Sequence, residues 1–215
     1  MAHWRSRGTS KNAPHGVSKT RNQRHKTAGF TLVELMAVCG IFIIVAAIAV
    51  PNFARMMNSA RINDAVQVTL NQLRMAHEEA VDKRLVYIVT FDPAGSITTQ
   101  WIKTGFAAQP ERTIPLPGGV QFLAQPGLSA IAAPDGFGTG TNAIDFDQAN
   151  GGGSNVIFFQ PDGTALDAAG NPNNGVVYLS KPGDLYSSRA ISLFGATGRL
   201  KSWTLVKKGA NPKWQ

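Results

Sequence analysis

The chain has 215 residues, 43% of them apolar and 16% charged, with 21 Lys and Arg against 13 Asp and Glu and a single cysteine. An apolar share of that size can build a core, so composition excludes a disordered chain, and one cysteine excludes an internal disulfide scaffold. The formal net charge of +8 points first to nucleic acid or an anionic membrane, but where the charge sits matters more than its sum.

Residues 1–29 hold Arg5, Arg7, Lys11, Lys19, Arg21, Arg24 and Lys26 and no acidic residue. The segment has no apolar periodicity and reads as disordered, outside the fold. Residues 30–50, FTLVELMAVCGIFIIVAAIAV, carry a single charge, Glu34. As a helix at 1.5 Å per residue they span roughly 31 Å, about the thickness of a bilayer's hydrocarbon core. Seven basic residues ahead of the span place the N-terminus in the cytoplasm and the rest of the chain outside it. A signal peptide would have a shorter apolar run ending at small residues; here the run ends in Val-Pro-Asn-Phe.

Glu34 is costly inside a membrane, by a few kcal/mol on insertion scales, unless it lies near the interface or has a partner. A cut before Phe30 would create an amine at the head of the span, and Glu34 on a neighbouring copy has the charge to neutralise it. Cys39 in the same run reads as a small packing residue.

Gly29-Phe30-Thr31-Leu32-Val33-Glu34-Leu35-Met36 resembles the processing and methylation motif of type IV pilins and their pseudopilin relatives. The resemblance implies cleavage after Gly29 by a prepilin peptidase, N-methylation of Phe30 and assembly through Glu34. Pro51 occupies a place where that family often carries proline. At 29 residues the leader is longer than many pseudopilin leaders.

Pro51 can kink a helix that the chain nevertheless continues. From 54 to 84, Met57, Ala60 or Ile62, Ala65 or Val66, Leu70, Leu73, Ala76 or His77, Ala80 and Val81 recur at three-to-four spacing, which predicts one long helix, half in lipid and half on a domain. His77 with Glu78 and Asp82 reads as a solvated polar face rather than a metal site. Strands are predicted over 85–91, 96–103, 119–123, 143–146, 155–160, 175–180, 189–194 and 199–206, separated by turns such as Asp92-Pro93-Ala94-Gly95 and Lys181-Pro182-Gly183. Residues 124–154, with seven glycines and three charges, read as a long loop offering a variable or partner-binding surface. The expected fold is α+β: a long N-terminal helix, with a transmembrane part over 30–51 and an amphipathic part over 52–84, packed on an antiparallel β-rich head over 85–215.

Phe159-Gln160-Pro161-Asp162-Gly163, Val177-Tyr178-Leu179, Ile191-Ser192-Leu193 and Thr197-Gly198-Arg199-Leu200, with the helix end and first strand over 74–91, resemble the GspH/FimT branch of the pseudopilins. This implies a minor pseudopilin of a type II secretion system, or the related minor pilin of type IV pili. Its partners would be a prepilin peptidase, other pseudopilins or pilins, an inner-membrane assembly platform and inner-membrane lipid, with the head in the periplasm.

Neither glycine-rich run, at 136–140 or 151–153, lies between a strand and a helix as phosphate binding requires, and no nucleophile-base pairing is visible, so no enzyme and no cofactor is expected. Asp145 with Asp147, and Asp162 with Asp167, have the oxygens for calcium, but turn-stabilising aspartates are the commoner explanation. No acidic residue follows Asp184, whereas Arg189, Arg199, Lys201, Lys207, Lys208 and Lys213 do, interleaved with Trp203 and Trp214. Gly198-Arg199-Leu200-Lys201 resembles the basic element of pilins that bind DNA for uptake, with lysine in place of its second arginine. Arg199, Lys201, Lys207 and Lys208 are therefore candidate DNA contacts, and the aromatics would suit base stacking. The alternative is a lysine-protected strand edge with a frayed tail.

Overall fold

The computed structural model describes residues 29–103, 105–128, 130–131, 135–208 and 211–215. The leader expectation falls on residues 1–28, outside them. The chain divides into two compact units, Met1–Ala47 and Ile48–Gln215. One helix, α1 (Leu32–Lys83), runs from the first into the second.

In the first unit α1 starts on a reciprocal cap. Thr31 precedes the first helical residue, its hydroxyl accepts the Glu34 N–H at 3.2 Å, and Glu34 Oε2 accepts the Thr31 N–H at 3.0 Å. This is a capping box, in which a Thr and a Glu three residues apart satisfy each other's otherwise unpaired amides. Along Leu32–Val50 the side chains are exposed on all sides of the helix.

In the second unit the periodic apolar residues of α1 become a buried stripe: Ile62, Ala65, Val66, Leu70, Leu73, Ala76 and Ala80. Two buried polar groups on that stripe are satisfied locally, Thr69 by the Ala65 carbonyl at 2.8 Å and Gln72 by the Thr99 hydroxyl at 2.6 Å. The helix ends at Lys83, and Arg84 takes the left-handed conformation (φ 55°) common just past a helix C-terminus.

Among the described residues eleven strands follow: β1 (Val86–Asp92), β2 (Ser96–Ile102), β3 (Gln109–Pro115), β4 (Gln121–Phe122), β5 (Ile144–Asp145), β6 (Val156–Phe159), β7 (Ala165–Leu166), β8 (Gly175–Lys181), β9 (Asp184–Phe194), β10 (Arg199–Lys208) and β11 (Asn211–Trp214). They form two antiparallel sheets, ordered β3-β2-β1-β6-β7 and β11-β10-β9-β8-β4, with β5 also pairing to β8. The main core joins α1 to both sheets through Val89, Phe91, Ile97, Phe159, Val177, Leu179, Ile191 and Leu193.

The second sheet is buried on both faces, which accounts for the unbroken apolar run Val176-Val177-Tyr178-Leu179 in β8. Its far face carries Val176, Tyr178, Ala190, Trp203, Leu205 and Trp214, covered by Ile131 with Ala124 and Leu128. Part of the long loop expected to offer a partner surface thus serves as a lid on the sheet. Gly138 permits the close approach: it sits at φ 85°, and a Cβ there would fall 2.5 Å from the Tyr178 hydroxyl. The tail expected to fray is strand β11, pairing Leu205 with Trp214 and Lys207 with Pro212.

Candidate functional site

Gly29 and Phe30 precede the first turn of α1, and Phe30 is 88% exposed. Cleavage after Gly29 would leave only Phe30 and Thr31 ahead of the helix, with the new amine four residues from Glu34. Glu34 is already engaged, because Oε2 accepts both the Thr31 N–H and the Thr31 hydroxyl, the latter at 3.1 Å. Thr31 is thus a partner of Glu34 within the same chain, and the Thr-x-x-Glu spacing is itself the sequence signal for such a box. α1 continues through Pro51, and the Asn52 side-chain amide donates to the Ile48 carbonyl at 3.1 Å.

The four candidate DNA contacts all lie on β10, but they do not form one surface. Alternation along a strand puts Arg199, Lys201 and Lys207 on the face of Trp203 and Leu205, and Lys208 on the other. Arg199 is ion-paired to Asp135, whose side chain is only 1% exposed, and Lys201 Nζ stands 3.8 Å from the same carboxylate. The Lys201 ammonium also lies 3.6 Å from the centroid of the Trp203 ring, and Arg199 sits over Phe194, which stacks on Phe137. Trp203 and Trp214 are 6% and 4% exposed and belong to the second core cluster. The aromatics that suggested base stacking are therefore spent on packing. Lys207 and Lys208 remain exposed at the β10–β11 hairpin.

Gly198, which opens this basic element, has a structural reason to be glycine. It sits at φ 62°, and a Cβ would come 2.5 Å from the Gly163 carbonyl oxygen and 2.6 Å from His77 Nε2. His77 is half-buried, bonded through Nε2 to the Gly163 carbonyl at 2.9 Å and packed edge-on against Phe159. It is a fastener between α1 and the β6–β7 turn, not part of a solvated face.

The aspartates considered for calcium are held by their own turns. Asp145 accepts the Gly153 N–H at 3.0 Å and the Thr139 N–H at 3.2 Å. Asp167 accepts the N–H groups of Ala169 and Asn171, each at 2.8 Å. The bond from Asn171 leads in holding the Asp167 carboxyl below its ordinary range, and the Thr164 hydroxyl and N–H do the same for Asp162. Among the described residues no group of three or more His, Cys, Asp or Glu is placed to hold a metal.

Residues 24–50 match the family described as the prokaryotic N-terminal methylation motif. Among solved structures the chain is similar to the minor pseudopilin EpsH from the type 2 secretion system of Vibrio cholerae. The identity is 14%, the TM-score 0.42, and the match covers 64% of this chain and 92% of that one. It is also similar to the type IV minor pilin FimU of Pseudomonas aeruginosa, at 13% identity and TM-score 0.43, covering 74% and 94%. No curated protein matches the chain. The methylation motif thus stands at the head of an apolar helix, with an α+β unit behind it. Within that motif, Leu32–Val50 is long and apolar enough to cross a membrane.

Proposed function

We propose that the chain is a minor pseudopilin of the GspH/FimT branch, a non-enzymatic structural subunit of a type II secretion pseudopilus that takes part in moving proteins across the outer membrane. The observation that carries this reading is the methylation motif at 24–50, which takes in the apolar helical segment Leu32–Val50 with Glu34 as its single charge. The basic leader keeps the N-terminus cytoplasmic, a prepilin peptidase cuts after Gly29, and Phe30 is N-methylated. The helix then holds the subunit in the inner membrane, with the β-rich head in the periplasm. On assembly through the membrane platform, Glu34 exchanges the Thr31 amide for the amine of a neighbouring subunit. That exchange converts the cost of a lone carboxylate in lipid into a charge-assisted bond between helices.

A second reading, a minor type IV pilin supporting pilus assembly or binding DNA for uptake, shares this N-terminal chemistry. The exposed pair Lys207 and Lys208 favours its DNA arm, whereas the counterion on Arg199 and Lys201 weighs against it. The test is co-expression with a prepilin peptidase and intact-mass analysis: loss of residues 1–29 with gain of one methyl group is expected. An unprocessed chain would overturn the pilin reading. Deletion in the native host decides between machines: lost protein secretion with normal pili supports the pseudopilus, and the reverse supports the pilus.

A further inference from the structure

Arg189 is a cation of the head that is bonded to neutral groups rather than ion-paired. It is half-buried on β9, and its Nη1 donates to the carbonyls of Tyr186, Ser187 and Ser188 at 3.3, 3.3 and 3.0 Å. Nη2 reaches Asn63 Oδ1 on α1 at 3.4 Å. Those bonds use neutral acceptors, and among the described residues Arg189 forms no ion pair. A guanidinium has five N–H donors, so donors remain for a ligand. Burial pulls its pKa below the ordinary arginine value, opposed by the Asp184 charge. With Asp184 near but not ion-paired to it, this half-buried cation is only partly compensated.

Arg189 faces a cavity of 280 Å³ between α1 and the start of β9, lined also by Asn58, Ser59, Ile62, Asp184, Tyr186 and Ser187. Lys181 brings a second cation to its edge, with Nζ 2.7 Å from Asn58 Oδ1. The one acidic group of the lining, Asp184, already accepts the N–H groups of Tyr186 and Ser187 at 3.1 and 3.3 Å.

The position of this cavity along α1 names the ligand's source. Exposed apolar side chains do not stop at Val50 but continue through Phe53, Met56 and Met57. Apolar groups bared on successive turns of a helix that has just left a bilayer belong to the boundary between acyl chains and headgroups. Asn58 follows Met57 directly, and Ser59 and Ile62 lie within the next roughly 8 Å of helix. The cavity therefore opens just past the last exposed apolar side chains of this part of α1, and Tyr186, which lines it, is of the kind that favours a headgroup layer.

We propose that the cleft formed by Asn58, Ser59 and Arg189, with Lys181 at its edge, binds the phosphodiester of an anionic phospholipid headgroup. Arg189 is the principal contact, and the site would fix the height of the head above the bilayer. It requires a membrane-anchored chain but not any particular machine, and it is tested without assembly or secretion.

The full-length chain, purified in neutral detergent, is titrated with dihexanoyl phosphatidylglycerol, with dihexanoyl phosphatidylcholine, and with inorganic phosphate or acetate, and complexes are counted by native mass spectrometry. Saturable binding of the phosphatidylglycerol is expected, stronger than that of the choline lipid. Arg189→Gln should weaken it roughly tenfold or more, as loss of a charge-assisted bidentate contact does. Because Arg189 also ties backbone carbonyls, Ser59→Glu provides the same test from an exposed helix position and should repel the lipid to a similar degree. Asp184→Asn keeps the oxygen that accepts the turn amides, removes the opposing charge and should tighten binding severalfold, a gain that misfolding does not mimic. Equal binding by wild type and the Ser59 variant overturns the proposal. So does binding of phosphate or acetate as tight as that of phosphatidylglycerol, which would assign the cleft to a free anion or a partner's carboxylate.

Discussion

Leucine, isoleucine, valine and phenylalanine are common at both ends of the described chain, and they meet opposite surroundings. From Phe30 to Met57 they stand exposed around the helix, whereas in the head Leu73, Phe91, Ile97, Leu179 and Leu193 are sealed. A side chain of this size contributes about 1.5–3 kcal/mol when taken out of water, so the head can fold on its own core. The N-terminal helix has no core of its own and needs a different solvent, lipid or neighbouring helices. The head is thus specified by contacts within the chain, and the helix by what it will be packed against.

The most drastic way to probe that division is at the cut site. Gly29→Ala should abolish processing outright, leaving the full-length mass on a gel in the presence of the peptidase, while the melting transition of the head stays where it was. Appearance of the shortened form in that variant would mean Gly29 is not the residue before the cut. Glu34→Ala comes next: insertion and processing continue, and incorporation into filaments falls sharply, because the N-terminal amine loses its carboxylate. Filaments incorporating the variant as readily as wild type would remove Glu34 from assembly.

The same division explains what could be read in advance. The N-terminal motif and span are contiguous, so residues 24–50 announce their chemistry without any tertiary contact. The amphipathic stripe from Ile62 to Ala80 was equally legible, since helical period and burial coincide there. Strand β3, Gln-Pro-Glu-Arg-Thr-Ile-Pro, was missed because its two prolines read as loop. Among the described residues it is an edge strand paired to β2, a place where proline is tolerated. Strand β11 was missed because its only large apolar residue, Trp214, gives no alternation to read. The Asp135 partner of Arg199 lies 64 positions earlier in a glycine-rich loop, a separation at which spacing carries no signal.

Trp214 offers a test of medium size. As part of a frayed tail its removal would cost nothing. As a β11 residue packed beside the Tyr178 ring at 5.9 Å, Trp214→Ala should destabilise the head by about 3–5 kcal/mol in denaturant unfolding. Burial raises the Tyr178 hydroxyl itself to about 12, so it stays protonated through the neutral range. A smaller effect is expected from acid. The turn amides hold the Asp167 carboxylate below the ordinary aspartate value of 3.8. A depressed folded pKa means the unfolded chain takes up the proton first. The stabilisation is therefore complete above about pH 4 and is lost as pH falls through the folded value. The stability gap between wild type and Asp167→Asn should be flat from pH 5 to 7 and close below pH 4; a gap unchanged at pH 3 would exclude this account.

The smallest effect on stability concerns Asp135, and it bears on function most directly. The carboxylate is buried while the Arg199 side chain is 49% exposed and that of Lys201 42% exposed. Removing the acid leaves two cations that water can reach, so Asp135→Asn should cost only about 1 kcal/mol, well short of what breaking a fully buried pair costs. Its consequence for a polyanion runs the other way. With the internal counterion gone, Arg199 and Lys201 become free to release counterions from a phosphate backbone, and affinity for duplex DNA at low salt should rise with a steeper salt dependence. If the Asp135 variant binds DNA no better than wild type in a low-salt mobility shift, Arg199 and Lys201 are packing residues of β10 with no nucleic-acid role.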